Sequence, residues 1–177
     1  MSSIEGRDNE AVRQLLIRCW MTHDAMWFAN ALQDQGIETA NRLNLAAIRG
    51  MGPIEVARIR KALGTGDIDD AEQLRAFIEG AFELVGGDFM AFEWHWREDG
   101  TARVDVHRCF AHDGITKLGA IAAYECGIYE RIYTWFEALG IAYTASPPGR
   151  QCLLHHQGKC GREFSFEFDQ PDKESTP

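Results

Sequence analysis

Apolar residues at Val12, Leu15, Leu16, Cys19, Met26 and Trp27 recur at helical spacing, predicting a first helix from Asp8 to about Gln35 that Gly36 ends. A second helix is expected from Glu38 to Arg49, with Leu43, Ala46 and Ala47 inward. Gly50-Met51-Gly52-Pro53 then punctuates, and Pro53 suits the first turn of a third helix reaching Leu63. Gly64-Thr65-Gly66 reads as a loop, after which Asp69 or Asp70 caps a fourth helix whose stripe is Leu74, Phe77, Ile78, Ala81 and Phe82.

At Gly86-Gly87 the period changes to two. Met90, Phe92, Trp94 and Trp96 alternate with Ala91, Glu93 and His95, a strand with one buried face. Glu98-Asp99-Gly100 turns the chain into a partner strand through Ala102, Val104 and Val106. A short amphipathic stretch from His112 to Leu118 precedes a longer helix, from about Ala120 to Leu139, that Gly140 ends. A strand from Ile141 to Thr144 and a Ser146-Pro147-Pro148-Gly149 turn follow. The pattern closes with a hairpin: Gln151 to His155, a turn near Gln157-Gly158, and alternating Phe164, Phe166 and Phe168. Helices first and strands afterwards predict an α+β domain over residues 8–169, helical over 8–85 and sheet-bearing over 86–169. Its antiparallel sheet has about four strands, with helices against one face. Residues 1–7, in which Ile4-Glu5-Gly6-Arg7 spells a protease-recognition tetrapeptide, are set aside as disordered or tag-like. The polar run 170–177 is expected to be a disordered tail.

Composition narrows the function classes. Hydrophobic residues are 45% and charged residues 25% of 177, a globular balance, and the net charge is −9. Such acidity argues against nucleic acid and anionic lipid surfaces as partners. No apolar run approaches the roughly 18–20 residues of a membrane span, and the opening residues lack the apolar core of a signal peptide, so the expectation is a cytoplasmic protein. There is no GxSxG, Walker-type loop, HExxH or dinucleotide fingerprint.

Five cysteines in a reducing compartment point to metal binding or plain burial before disulfides. Cys152 and Cys160 face each other if the last hairpin forms, and Cys126 lies off the main stripe of the long helix, where it can meet them. Thiolates select zinc or an iron–sulfur cluster over magnesium or calcium. Cys109, His112, Glu125, His155 and His156 are candidate fourth ligands; burial as small apolar side chains is the competing account.

Cys126, Cys152 and Cys160 with Phe164 and Phe166 resemble the C-terminal signature of the 4-vinyl reductase domain, a sensory module of bacterial regulators. Arg108-Cys109, Leu118, Cys126, Leu139-Gly140, Cys152 and Cys160 also resemble the L-2-amino-thiazoline-4-carboxylic acid hydrolase family. The first resemblance implies structural zinc on a helix cysteine and two hairpin cysteines, beside a pocket for an aromatic ligand. It also implies a fold related to trafficking-complex subunits, often homodimeric. The glutamate that completes the zinc site there falls on Gly149 in this chain.

His23 lies four residues after Cys19 and four before Trp27, so the three share a helix face. They form either a pocket wall, with His23 and Asp24 as polar partners and Trp27 stacking a planar ligand, or ordinary packing. Trp94 is likewise a pocket residue or part of the core. The expected function is a metal-stabilised domain that binds a small aromatic or apolar molecule between the first helix and the sheet. A thiazoline-type hydrolase using a cysteine or metal-bound water, or an iron–sulfur redox protein, stands as the alternative.

Overall fold

The computed structural model describes residues 8–168; the expectations for residues 1–7 and 170–177 lie outside them. Helix α1 (Asn9–Leu63) opens on Asp8, whose carboxylate accepts the Glu10 N–H, and is broken at Gly36, where φ is 79°. That left-handed value favours glycine, so the predicted stop is real although the helix resumes at once.

The expected break at Gly50–Pro53 is not present: the helix runs through it to Leu63. Pro53 lacks an N–H, but tertiary packing outweighs that loss. Gly52 sits so close to α4 (Gly127–Ala138) that a Cβ there would lie 2.3 Å from Thr134 Oγ1. Gly52→Ala should therefore destabilise the fold by about 1–3 kcal/mol through overpacking, despite alanine's better helix propensity. Gly50→Ala, with nothing within 4 Å of its Cβ position, should stabilise by about 0.5–1 kcal/mol. Urea denaturation of the two variants checks the pair of signs.

Helix α2 (Ala71–Val85) begins as predicted at Asp70, whose side chain accepts the Gln73 N–H at 2.8 Å. Strands β1 (Ala91–Trp96) and β2 (Thr101–Arg108) follow, then α3 (Phe110–Lys117), α4, β3 (Ala142–Ser146), α5 (Leu153–Gln157) and β4 (Gly161–Glu167). The four strands pair antiparallel in the order β1-β2-β4-β3, so the α+β class and the strand number hold.

Two further expectations are corrected. The long helix from Ala120 is instead a 3-10 turn (Ile121–Ala123), an extended stretch, and then α4. Tertiary partners take the backbone groups that a helix would need. Asn41 on α1 donates to the Ala123 carbonyl at 2.8 Å and accepts from the Glu125 N–H at 3.1 Å, and the Cys126 N–H donates to the Arg150 carbonyl at 2.6 Å. The last hairpin does not form either. β4 is already paired on both edges, by β2 and β3, so Leu153–Gln157 makes one helical turn ended by a left-handed Gly158.

The helices cover one face of the sheet. Small Ala102 and Val104 on β2 leave room for Trp94 and Trp96 of β1 to stack with Phe164 and Phe166 of β4. Phe136 of α4 meets both phenyl rings edge-on, and Phe82 of α2 packs on Phe92 and Trp94. The outward face carries Glu93, Arg103, Asp105 and His107, paired among themselves.

Candidate metal centre and the adjoining cleft

Four cysteines reach one region of the molecule from four separate segments. Cys109 ends β2 and starts α3, Cys126 starts α4, Cys152 starts α5, and Cys160 immediately precedes β4. An isolated bridge between Glu125 and Gln151 holds the starts of α4 and α5 side by side. The Val106 N–H donates to the Cys160 carbonyl at 2.9 Å, tying Cys160 to the strand that leads to Cys109. The expected placement of Cys126 on a helix face and of Cys152 on a strand is thus replaced by helix starts.

Burial pushes the Cys126 thiol up to about 12, with the charges of Cys109 and Cys160 adding to the rise and the N–H groups of Tyr129 and Ile128 opposing it. Burial likewise pushes Cys109 up to about 11, opposed by the N–H groups of His112 and Ala111 and assisted by Cys160 and Cys152. Cys160 is raised chiefly by burial; its thiol donates to Tyr129 Oη at 3.6 Å. The thiols are therefore electrostatic neighbours. Among the described residues, however, no three His, Cys, Asp or Glu side chains form a closed ligand group.

Burial favours the neutral thiols, and smaller contributions from Arg162 and from backbone N–H groups oppose it. Arg162 is 1% exposed, and no carboxylate pairs with it among the described residues. Its guanidinium lies over the rings of Tyr129 and Tyr133 at 4.6 and 5.8 Å and donates to the carbonyls of Pro147 and Gly149. Its Nε is buried without a partner. A desolvated cation of this kind is costly without a counter-charge, and Arg162 already draws the Cys160 thiol towards ionisation. The backbone N–H groups beside Cys109 and Cys126 favour the same ionised form.

Among the candidate fourth ligands, Cys109 is the one whose charge acts on Cys126. His155 and His156 are exposed and pack edge-on against each other, His112 faces Asp113 at 3.1 Å, and Glu125 lies 3.9 Å from Arg150. Gly149 has φ of 97°, a glycine conformation, and its carbonyl serves Arg162.

The cleft expected between the first helix and the sheet lies elsewhere. About 340 Å³ opens between α1, α3 and α4, walled by Trp20, Phe28, Met51, Phe110, Tyr124 and Ile128. It backs onto the cysteines: Phe110 follows Cys109, and Gly127 follows Cys126. A narrower apolar extension of about 50 Å³ shares Met21, Phe110, Ile128 and Arg131 and continues towards Phe82 and Trp135.

Of the predicted ligand residues, Asp24 lines this cleft. His23 and Trp27 do not: both are exposed, Trp27 67% so, and the Trp27 indole donates to His23 Nε2 at 3.2 Å. The inward stripe is Ile17, Met21 and Phe28, with the exposed Asp24 at its edge, and the Cys19–His23–Trp27 face turns away from it. Trp27 borders a separate hollow of about 980 Å³ between the two halves of α1. Trp94 belongs to the aromatic core, its Nε1 buried without a partner, and lines neither cleft nor extension.

Sequence reasoning missed Arg131 and Glu55. Glu55 is 8% exposed and accepts from Arg131 Nε at 2.8 Å, from Arg131 Nη2, and from Trp135 Nε1 at 2.8 Å. Arg131 also lies over Trp20 and Trp135 at 5.2 and 5.5 Å. Its place on the Ile128–Trp135 stripe, a charge among apolar residues, was the available signal, as was Arg162 in phase with Phe164 and Phe166.

No protein-family model matches the chain, and no curated protein or solved structure matches it. Among the described residues no helix is long and apolar enough to cross a membrane.

Proposed function

We propose that this protein is a cytoplasmic, metal-stabilised domain that binds a small, largely apolar molecule in the cleft between α1, α3 and α4. Cys109, Cys126, Cys152 and Cys160 would hold the metal, zinc before an iron–sulfur cluster. Bound there, it would tie together the four segments that carry these cysteines. The observation that carries the reading is the convergence of these four thiols beside the buried, carboxylate-free Arg162. The resemblance to the 4-vinyl reductase domain agrees with it, with Cys109 standing in for the missing glutamate.

The cleft supports the binding half of the reading. Its volume suits a small organic ligand, and its walls are aromatic and methionine-rich. A homodimer is part of the same proposal, supported by Leu15, Leu16, Met26 and Trp27, which α1 leaves exposed on its first half.

Elemental analysis and the visible spectrum of protein purified with and without oxygen test the proposal. One zinc per chain and no colour is the expected result. Iron with sulfide and a brown anaerobic preparation would replace zinc by a cluster, and absence of any metal in both preparations would defeat the metal half outright.

A further inference from the structure

The cleft has a polarity that its apolar walls do not suggest. Three charged residues border it: Asp24, Arg131 and Lys117. Arg131 is held by Glu55, which takes both its Nε and Nη2 hydrogens. Lys117 is exposed in the last turn of α3, and its charge is not among those that act on Asp24. Asp24 differs from both. No hydrogen bond or ion pair to it forms among the described residues, and its carboxyl is raised above its usual value by burial, with Arg131 and His23 opposing. It is exposed on α1, one turn before the buried Phe28, where it lines both the cleft and the hollow beside it.

An unpaired carboxylate at the mouth of an aromatic-walled cleft is complementary to one kind of molecule. We propose that the cleft selects an organic cation, a primary amine or amidine carried on an aromatic or apolar body, with Asp24 pairing the charged head. This deepens the small-molecule reading above and rests on it. The apolar body would lie along Phe28, Tyr124, Phe110 and Ile128, pointing to the narrow extension beyond Met21. Head and body are thereby assigned opposite ends of one site. Charge-assisted hydrogen bonds from an ammonium group to this carboxylate, beside the apolar wall, add to the burial of the body.

Calorimetric titration with three matched series tests this: phenylalkylamines from benzylamine to 4-phenylbutylamine, the corresponding neutral alcohols, and the corresponding carboxylates. In the wild-type protein the best amine should bind at least tenfold tighter than the alcohol of the same length. In Asp24→Asn, an isosteric change at an exposed helix position whose fold circular dichroism verifies, that preference should fall to within twofold while alcohol binding is unchanged. Equal binding of amine and alcohol would overturn the cation proposal and leave the cleft reading standing; so would preference for the carboxylate, which would shift recognition to Lys117 or Arg131. If no member of any series bound, both the cleft reading and this inference would fall. Should Asp24→Asn not fold, the wild-type comparison alone decides.

Discussion

If the proposed metal is structural, removing it with a strong chelator should lower the melting temperature by about 20 °C or more, or unfold the protein at room temperature. A structural zinc contributes on the order of 10 kcal/mol, comparable with the entire stability of an ordinary domain, and in a chain of this size each kcal/mol is worth about 2–4 °C. The dependence should be this steep because of where the cysteines stand. Cys126 and Cys152 begin α4 and α5, the latter a single turn of five residues, and Cys160 fixes the entry to the central strand β4. β4 is held by its two sheet neighbours and α4 by α1. The short α5 is joined to the start of α4 by little besides the Glu125–Gln151 bridge and the Cys126–Arg150 backbone bond, so it depends most on a shared ion. Cys126→Ser should reproduce the loss, whereas Cys19→Ser, at an exposed position on α1, should leave metal content and melting unchanged. Thermal melts with metal content measured on the same samples check it. Unchanged melting after verified metal removal would contradict a structural centre.

Arg162→Met carries the second large effect. The guanidinium is both a fork that holds the carbonyls of Pro147 and Gly149 and a buried positive charge next to Cys160. Its loss strands two carbonyls and leaves an anionic thiolate centre without its nearest cation. In the metal-loaded protein this should cost about 3–5 kcal/mol, the usual penalty for removing one partner of a buried charge pair. Metal affinity, read by competition with a chromogenic chelator, should fall ten- to a hundredfold, as for loss of an outer partner of metal ligands. Arg162→Lys should restore part of the affinity, because it keeps the charge without the two-pronged geometry. Retention of full affinity in the methionine variant would mean that Arg162 only braces the loop.

Local chemistry made much of the fold legible. Gly36 broke the first helix where expected, Asp70 capped α2, and alternation from Met90 to Val106 gave β1 and β2 in the right order. Where expectation failed, a distant partner decided. Pro53 reads as a boundary until Gly52 is seen nested on Thr134, eighty-odd residues away, and the run after Ala120 reads as helix until Asn41 takes its backbone groups. Nothing local signals either contact.

The site was legible by residue type more than by geometry. Four of the five cysteines are electrostatic neighbours without forming a closed ligand group among the described residues, and three of them stand at helix starts that no spacing rule indicated. On α1 the spacing correctly put Cys19, His23 and Trp27 on one face, yet periodicity cannot say which of two adjacent faces turns inward. The burial of Ile17 and Phe28 settles that, and brings Asp24 rather than His23 to the cleft. Arg131 and Arg162 were passed over because a charge in an apolar stripe looks like an interruption; paired with Glu55, or set beside thiols, it is a component of the interior.

X-ray absorption at the edge of the metal found in purified protein tests the shared centre most directly. Four sulfur neighbours, at about 2.3 Å if the metal is zinc, are predicted, falling to three in Cys109→Ser. A first shell dominated by nitrogen or oxygen, or one with two sulfurs or fewer, would contradict the convergence of Cys109, Cys126, Cys152 and Cys160 on a single ion.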